Sequence, residues 1–422
     1  MATLLQLPHF LECVLAAHCL RGRCRLLIRR TLNSTQDTYC KQTAIYTVCQ
    51  NEGGGGSGYW TGQEKSAAQS AKTTGDSEVT RTSQDQAGRP KFSTRGTDWN
   101  CIRRKQEATM TEYVIETTSH GKCLMIRGFR FPPAFNPQFV QQALDLTPRA
   151  GDVFVSTYIK CGTTWVQYVV WCLHNLDKLA SGEGVPTLND LLHKHVPMID
   201  WVGTEPLAHL PEPRLMKHHL PFHMTPYHPE AKYVVVVRNP FDCAVSFYHM
   251  RKNNWASAGL QKDYTFDAFF ESFMTGDLPY GSYFDHVLSW YEHRNDPNVH
   301  LLFFEHLRED TAAEVFKIAD FVDAKGIGSR LRSDPALLET VIEKTSFTSL
   351  RKTAVPDEDV GDKDIGGWDK PRGPSRNFFR KGVVGDWKNQ MSADQERRLK
   401  EVYFARLGGT EFQKVWEKYL GF

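Results

Sequence analysis

Between Ser156 and Trp165 the chain reads Ser-Thr-Tyr-Ile-Lys-Cys-Gly-Thr-Thr-Trp, a run suited to holding an oxyanion. Gly162 lets a backbone approach a ligand closely, and the first N–H groups of a following helix converge on an anion there. Lys160 adds a positive charge, and Thr163 and Thr164 add hydroxyl donors. The order differs from GxxxxGK[ST]: the lysine precedes the glycine, and no Ser or Thr directly follows it to hold magnesium. The anion is therefore expected to bind without an obligatory metal. Taken alone, the run also fits a glycine-containing helix cap with an exposed lysine. Downstream, Arg238 and the pair Arg380-Lys381 offer cations, and the planar fork of arginine suits a phosphate. His218 and His219 offer imidazoles, whose ordinary pKa suits a general base near neutral pH. In a strand these neighbours face opposite ways, so one of them at most enters a common site.

Those residues need elements to position them. Asp152–Ser156 reads as a buried strand, and apolar residues at helical spacing from Thr164 to Leu176 follow the loop. Lys232–Arg238 carries four successive valines, the habit of a strand buried on both faces. Asn239-Pro240 breaks it, and Phe241–Arg251 reads as a helix. Val299–Phe304 is a third strand, followed by a helical stretch from Thr311 to Val322. The alternation predicts a three-layer α/β fold with a mainly parallel central sheet and a P-loop-like anion loop. Ligands in such sheets bind at the carboxyl ends of strands, where the candidate residues fall.

A hydrophobic share of 41% allows an ordinary core, and a net charge of +2 argues against bulk nucleic-acid binding. The ten cysteines include no CxxC pair, which gives no sign of a zinc or dithiol site and fits a reducing compartment. No uninterrupted apolar run is long enough for a membrane span; Leu4–Leu20 is broken by Pro8, His9, Glu12 and His18. Arginines follow that stretch, the wrong order for a secretory signal, while an Arg-rich, acid-poor start leaves a mitochondrial leader as the minor alternative to a cytoplasmic protein. Residues 50–109 are poor in large apolar side chains and are expected to be disordered. The chain is thus divided into a 1–109 extension, disordered or non-native, and a 110–422 domain.

Four segments resemble motifs of the cytosolic sulfotransferase family. Lys160-Cys-Gly-Thr-Thr-Trp165 is similar to its 5′-phosphosulfate loop, usually Tyr-Pro-Lys-Ser-Gly-Thr-Thr-Trp. Lys217-His-His-Leu-Pro221 resembles its Lys-Thr-His-Leu-Pro catalytic segment. Arg238 to His249 resembles its 3′-phosphate element, and Arg380-Lys-Gly-Val-Val-Gly-Asp-Trp-Lys388 its C-terminal phosphate signature. The resemblance runs from about Gly121 to the C-terminus. It implies a donor co-substrate, 3′-phosphoadenosine 5′-phosphosulfate (PAPS), and no metal. It implies His219 as general base, Lys160 on the leaving oxygen, Lys217 beside the transferring group, and Ser246 with Arg238, Arg380, Lys381 and Gly382 around the 3′-phosphate. Cys161, Gly162, Thr163 and Thr164 would hold the 5′ end, Trp165 and Phe347 would sandwich the adenine, and Phe304, Thr345 and Ser346 would complete the nucleotide contacts. Departures are Ile159 for the usual Pro, Cys161 for Ser and Phe304 for Tyr.

The implied acceptor is a small molecule (phenol, catecholamine, steroid or alcohol) with no nucleic acid partner and no stable membrane insertion. Phe131, Phe135, Trp201, Phe222 and Tyr248 are candidates to line its pocket beside Lys217 and His219, each also open to an ordinary core role. Lys388, Ser392-Ala393 and Glu396 approximate the family's dimerisation motif, so a homodimer is possible. His193, His195 and His286 are expected at the surface or in packing. Two competing readings are a magnesium-dependent P-loop enzyme, which lacks its GxxxxGK[ST] loop here, and a non-catalytic relative, which predicts loss of Lys160 or the base, both of which are present.

Overall fold

A computed structural model of the chain describes residues 43–46, 113–118, 121–253, 259–260, 263–323, 326–354 and 379–421. The readings made for residues 50–109 and for the first forty residues fall outside them. Antiparallel pairing joins β1 (Thr43–Tyr46), β2 (Tyr113–Thr118), β3 (Gly121–Ile126) and β4 (Phe129–Phe131) into one sheet. A second sheet is wholly parallel, in the order β6-β5-β7-β8: β5 is Val153–Thr157, β6 Leu215–His218, β7 Lys232–Val237 and β8 Val299–Phe303.

The principal helices are α1 (Pro137–Leu144), α2 (Thr163–His174), α3 (Ile199–Val202), α4 (Pro240–Asn253), α5 (Phe266–Thr275), α6 (Tyr283–Tyr291), α7 (Phe304–Glu309), α8 (Thr311–Phe321), α9 (Pro335–Thr345), α10 (Phe347–Thr353), α11 (Ala393–Leu407) and α12 (Glu411–Leu420). Side-chain alternation in the sheet explains the layers. Val153, Val155, Val234, Val236 and Leu302 share a cluster with Val166, Val169 and Leu173 of α2 and Val315 and Ile318 of α8. Phe154, Tyr233 and Val235 share another, with Ala143 of α1 and Trp290 of α6. The expected three-layer α/β arrangement is thus present, with β7 buried on both faces.

The predicted strands and helices begin and end within about two residues of the observed ones, as at Val153–Thr157 and Pro240–Asn253. Strand β6, the antiparallel sheet and the C-terminal pair α11–α12 are not among the elements expected from the sequence. Asn239 caps α4: its side-chain oxygen accepts from the Asp242 N–H at 2.8 Å, and Pro240 takes the first helical position. No described helix is long and apolar enough to cross a membrane.

One buried ion pair ties β5 to the approach of β6. Arg214 donates from Nε and Nη2 to the two oxygens of Asp152 at 2.8 and 2.5 Å, and both side chains are buried. Removing one partner of such a pair strands a buried charge, at a cost of about 3–5 kcal/mol. Asp152→Ala is therefore expected to lower unfolding stability in urea by that amount, and Asp152→Ala/Arg214→Met to recover much of it.

Candidate active site

The candidate residues leave the carboxyl ends of the four parallel strands. Lys160 lies three residues beyond β5, and His219, Arg238 and Phe304 directly follow β6, β7 and β8. The β5–α2 loop turns sharply: Lys160 has φ 67° and Gly162 φ 103°. A non-glycine residue in the left-handed region stores strain, which concentrates at functional sites. A Cβ on Gly162 would sit 2.7 Å from Phe304 Cδ2, so only glycine fits against that ring. Gly162 caps α2 without a side-chain hydrogen bond, and Cys161 is packed with its Sγ 3.9 Å from Cys243 Sγ. Thr157 Oγ1 and Thr163 Oγ1 lie 2.6 Å apart and brace the loop across its base.

The two histidines separate as the strand requires. His218 pairs with Ser156 across β5 and β6. Its Nδ1 accepts from the Leu220 N–H at 3.1 Å, so Nε2 carries the proton and bonds Ser156 Oγ at 3.1 Å. The ring lies between Phe154 and Trp290. Burial, followed by His286 and Lys217, pulls its pKa down to about 3, so it is a neutral packing group. His219 faces the other way. Its Nδ1 is 2.9 Å from the Thr157 carbonyl oxygen, which can only accept, so Nδ1 holds the proton and Nε2 carries the lone pair. Burial, then Lys217, holds this imidazole well below its usual pKa, so it stays neutral and basic in form near pH 7.

Lys217 shares the His219 face, and its Nζ approaches Met198 Sδ at 2.8 Å. Burial draws this ammonium down to about 7, against the pull of Asp200. Burial, then Arg238, draws Lys160 down to about 8. Asp200 is itself buried, with Oδ2 receiving the Tyr280 hydroxyl at 2.8 Å and burial raising its pKa. The Tyr280 ring meets His219 edge-on at 5.0 Å. Phe131 and Phe135 contact Tyr280 at 6.1 and 6.5 Å, and Trp201 stacks on Phe135 at 6.5 Å. Three of the expected pocket residues thus gather about Tyr280, whose ring meets His219.

Phe222 and Tyr248 do not join them. Phe222 stacks on His293 at 3.4 Å and packs on Trp290 and Tyr227, because the chain turns away after Pro221 into a short helical turn. Tyr248 is core, packed on Phe266 and Phe269 from the α4 face that meets α5. His286 is buried against Tyr158 rather than at the surface; the part-buried His193 lies against Trp201, and His195 against Trp171.

A second cationic group closes over the loop. Arg238 is buried, donating from Nη2 to the Val383 carbonyl at 2.9 Å and from Nη1 to the Lys160 carbonyl at 3.4 Å, with its guanidinium 4.4 Å from the Phe304 ring centroid. Asp242 fixes the C-terminal turn by accepting from the N–H groups of Gly385 and Trp387 at 2.8 and 3.1 Å. Glu305 holds Asn239 from its backbone N–H and its Nδ2, and receives Trp416 Nε1 at 2.9 Å. Gly382, at φ 65°, lies against Phe347, where a Cβ would be 2.5 Å from the ring. Ser246 is half-buried in the second turn of α4. Thr345 and Ser346 spend their hydroxyls locally: Thr345 donates to the Val341 carbonyl, and Ser346 caps α10.

Buried polar groups are normally satisfied. Among the described residues, the buried polar atoms without a partner include the donors Trp165 Nε1, Arg238 Nε and Arg380 Nε. These orphans, with the two glycine cradles and the neighbouring cations, fit a ligand carrying separate anionic groups and a flat ring. Sequence reasoning missed Tyr280, Asp200 and the carboxylates Asp242 and Glu305. Asp242 sits where Asn-Pro announces a helix start, but its grip on residue 385 is a long-range contact that no local pattern encodes.

A family model described as Sulfotransferase domain matches residues 150–411. The chain is 32% identical to rabbit (Oryctolagus cuniculus) sulfotransferase 1C2 over 270 residues, 61% of this chain and 84% of the relative. It is 32% identical to Danio rerio sulfotransferase 6B1 over 278 residues, 65% and 84% of the two chains. Among solved structures, mouse sulfotransferase SULT7A1 complexed with PAP aligns with a TM-score of 0.54 and 26% identity, covering 70% of this chain and 97% of that one.

The Gly162 position yields a direct test. Gly162→Ala forces a left-handed alanine against Phe304, a strain of about 1–3 kcal/mol. It is expected to weaken binding of a phosphate-bearing nucleotide by about tenfold or more in a fluorescence titration.

Proposed function

The chain belongs to the sulfotransferase family, and on that premise we propose that its cleft carries a sulfuryl group from PAPS to a hydroxyl or amine of a small phenol, catecholamine, steroid or alcohol. It is a PAPS-dependent sulfotransferase. The observation that carries the finer reading is the His219 tautomer: the Thr157 carbonyl holds the Nδ1 proton and leaves Nε2 as the acceptor, beside the aromatic group formed by Phe131, Phe135, Trp201 and Tyr280.

In this reading the acceptor oxygen bonds to sulfur while the bond from sulfur to the nucleotide phosphate oxygen breaks. His219 Nε2 takes the hydroxyl proton. Lys160 and the N–H groups at the start of α2 stabilise the oxygen that leaves, and Lys217 faces the transferring group. Such a transfer depends on positioning and charge rather than covalent help from the protein. Arg238, Ser246, Arg380, Lys381 and the Gly382 backbone hold the 3′-phosphate, and Trp165 with Phe347 flanks the adenine. Requiring the 3′-phosphate rejects ordinary adenine nucleotides. The three orphaned donors support this placement, because an anionic nucleotide supplies the acceptors they lack.

His219→Ala is expected to remove turnover while 3′-phosphoadenosine 5′-phosphate (PAP) still binds with near-native affinity. Near-normal turnover in a radiolabelled-PAPS assay would overturn the assignment of the base. The lysines set the alkaline side. Burial draws the ammonium groups of Lys217 and Lys160 down to about 7 and about 8, and a bound anion favours their protonated forms. The kcat/KM for PAPS should therefore fall as pH rises through about 7 to 8, and the corresponding limb of kcat should lie at higher pH. Identical limbs in the two profiles would speak against both lysines facing the anion.

A further inference from the structure

Two of the residues assigned to the 3′-phosphate, Arg380 and Lys381, are held by a carboxylate that the reaction itself does not use. Asp386 is buried at the start of the short helical turn Asp386–Asn389. Its Oδ2 receives Arg380 Nη1 at 2.5 Å, and its Oδ1 receives Lys381 Nζ at 2.6 Å and Asn389 Nδ2 at 2.9 Å. Arg380 and Lys381 are adjacent in sequence and would otherwise repel each other and spread. The carboxylate takes one donor from each. A guanidinium has five N–H groups and an ammonium three, so both keep donors to spare, and Arg380 Nε is buried without a partner.

The turn bearing Asp386 is itself anchored. The buried Asp242 accepts the N–H groups of Gly385 and Trp387 on either side of it. Arg238 reaches the same segment through the Val383 carbonyl. Asp386 therefore stands on a fixed backbone and passes that fixity to two long side chains.

From this geometry we infer that Asp386 is a positioning residue for 3′-phosphate recognition: it presets Arg380 and Lys381 as one preorganised anion-binding pair, and selectivity for 3′-phosphorylated nucleotides depends on it. The inference rests on the assignment of Arg380 and Lys381 to the 3′-phosphate made above. The strong anionic character of Asp386, whose hydrogen bonds to Lys381, Asn389 and Arg380 overcome burial and hold its pKa at about 2, keeps the arrangement intact across the working pH range.

The test compares binding of two probes, PAP and adenosine 5′-phosphate, by competition titration on the full chain. The ratio of their dissociation constants measures recognition of the 3′-phosphate. D386N keeps the shape but lacks the charge, and is expected to reduce that ratio on the order of tenfold, the scale for loss of an orienting partner, with adenosine 5′-phosphate binding unchanged. N389A leaves every charge in place and loosens Oδ1 alone; it is expected to reduce the same ratio a few-fold, and it carries the test if D386N does not fold. Equal weakening of both probes, or an unchanged ratio in both variants, overturns the inference. R380A separates the two levels: an unchanged ratio there overturns the 3′-phosphate assignment itself, whereas a collapsed ratio in R380A with a native ratio in D386N and N389A overturns only the role of Asp386.

Discussion

A single buried guanidinium organises the candidate site of this protein. Arg238 leaves the end of β7, lies over Phe304 from the end of β8, donates to the Lys160 carbonyl in the loop after β5, and donates to Val383 in the C-terminal turn. Segments nearly 150 residues apart in sequence are thus joined by one side chain. The planar fork makes this possible, since a lysine ammonium would not span both carbonyls and stack on a ring at once. Phe304 matters for the same reason: it is the platform for the guanidinium and the wall against which Gly162 fits.

Bringing Arg238, Lys160, Arg380 and Lys381 together before any anion arrives is electrostatically unfavourable, and the fold compensates with carboxylates. Asp242 and Glu305 are buried next to Arg238, and each also holds backbone or side-chain N–H groups from a distant element. Asp386 does the same for Arg380 and Lys381. The site is therefore a lattice of alternating charge whose geometry is set by acids and whose open valences are basic. Burial draws Lys160 down to about 8 and Lys217 down to about 7, the latter against the pull of Asp200.

Three of the four strands of the parallel sheet were legible in the sequence because their signals are local, while β6 is not marked by any such run. Four valines in a row at 234–237 mark a strand buried on both faces, and Asn239-Pro240 marks the end of the strand and the start of α4. The loop was legible because Lys160, Gly162, Thr163 and Thr164 are contiguous. The Lys-x-His-Leu-Pro spacing favours His219 over His218 as the candidate base, and the hydrogen bonds of the two rings give them opposite tautomers. The acceptor side was harder to read. Tyr280 arrives from a turn and Asp200 from α3, far apart in sequence, and Phe222 and Tyr248 look like pocket residues by type alone although their rings pack elsewhere. Where an aromatic ring ends up is decided by packing between elements, which composition does not encode.

Trp165 Nε1, Arg238 Nε and Arg380 Nε remain buried and unsatisfied in the protein alone. A ligand that supplies their missing acceptors binds the folded chain and not the unfolded one, so it raises folding stability by RT ln(1 + [L]/Kd), about 2.7 kcal/mol at a hundredfold excess over Kd. Donor and spent nucleotide therefore act as folding cofactors as well as reactants. The melting temperature of the protein, and its survival against proteolysis, become functions of the free concentration of adenine bisphosphates around it. The cellular supply of activated sulfate would then govern how long each enzyme molecule lasts as well as how fast it turns over.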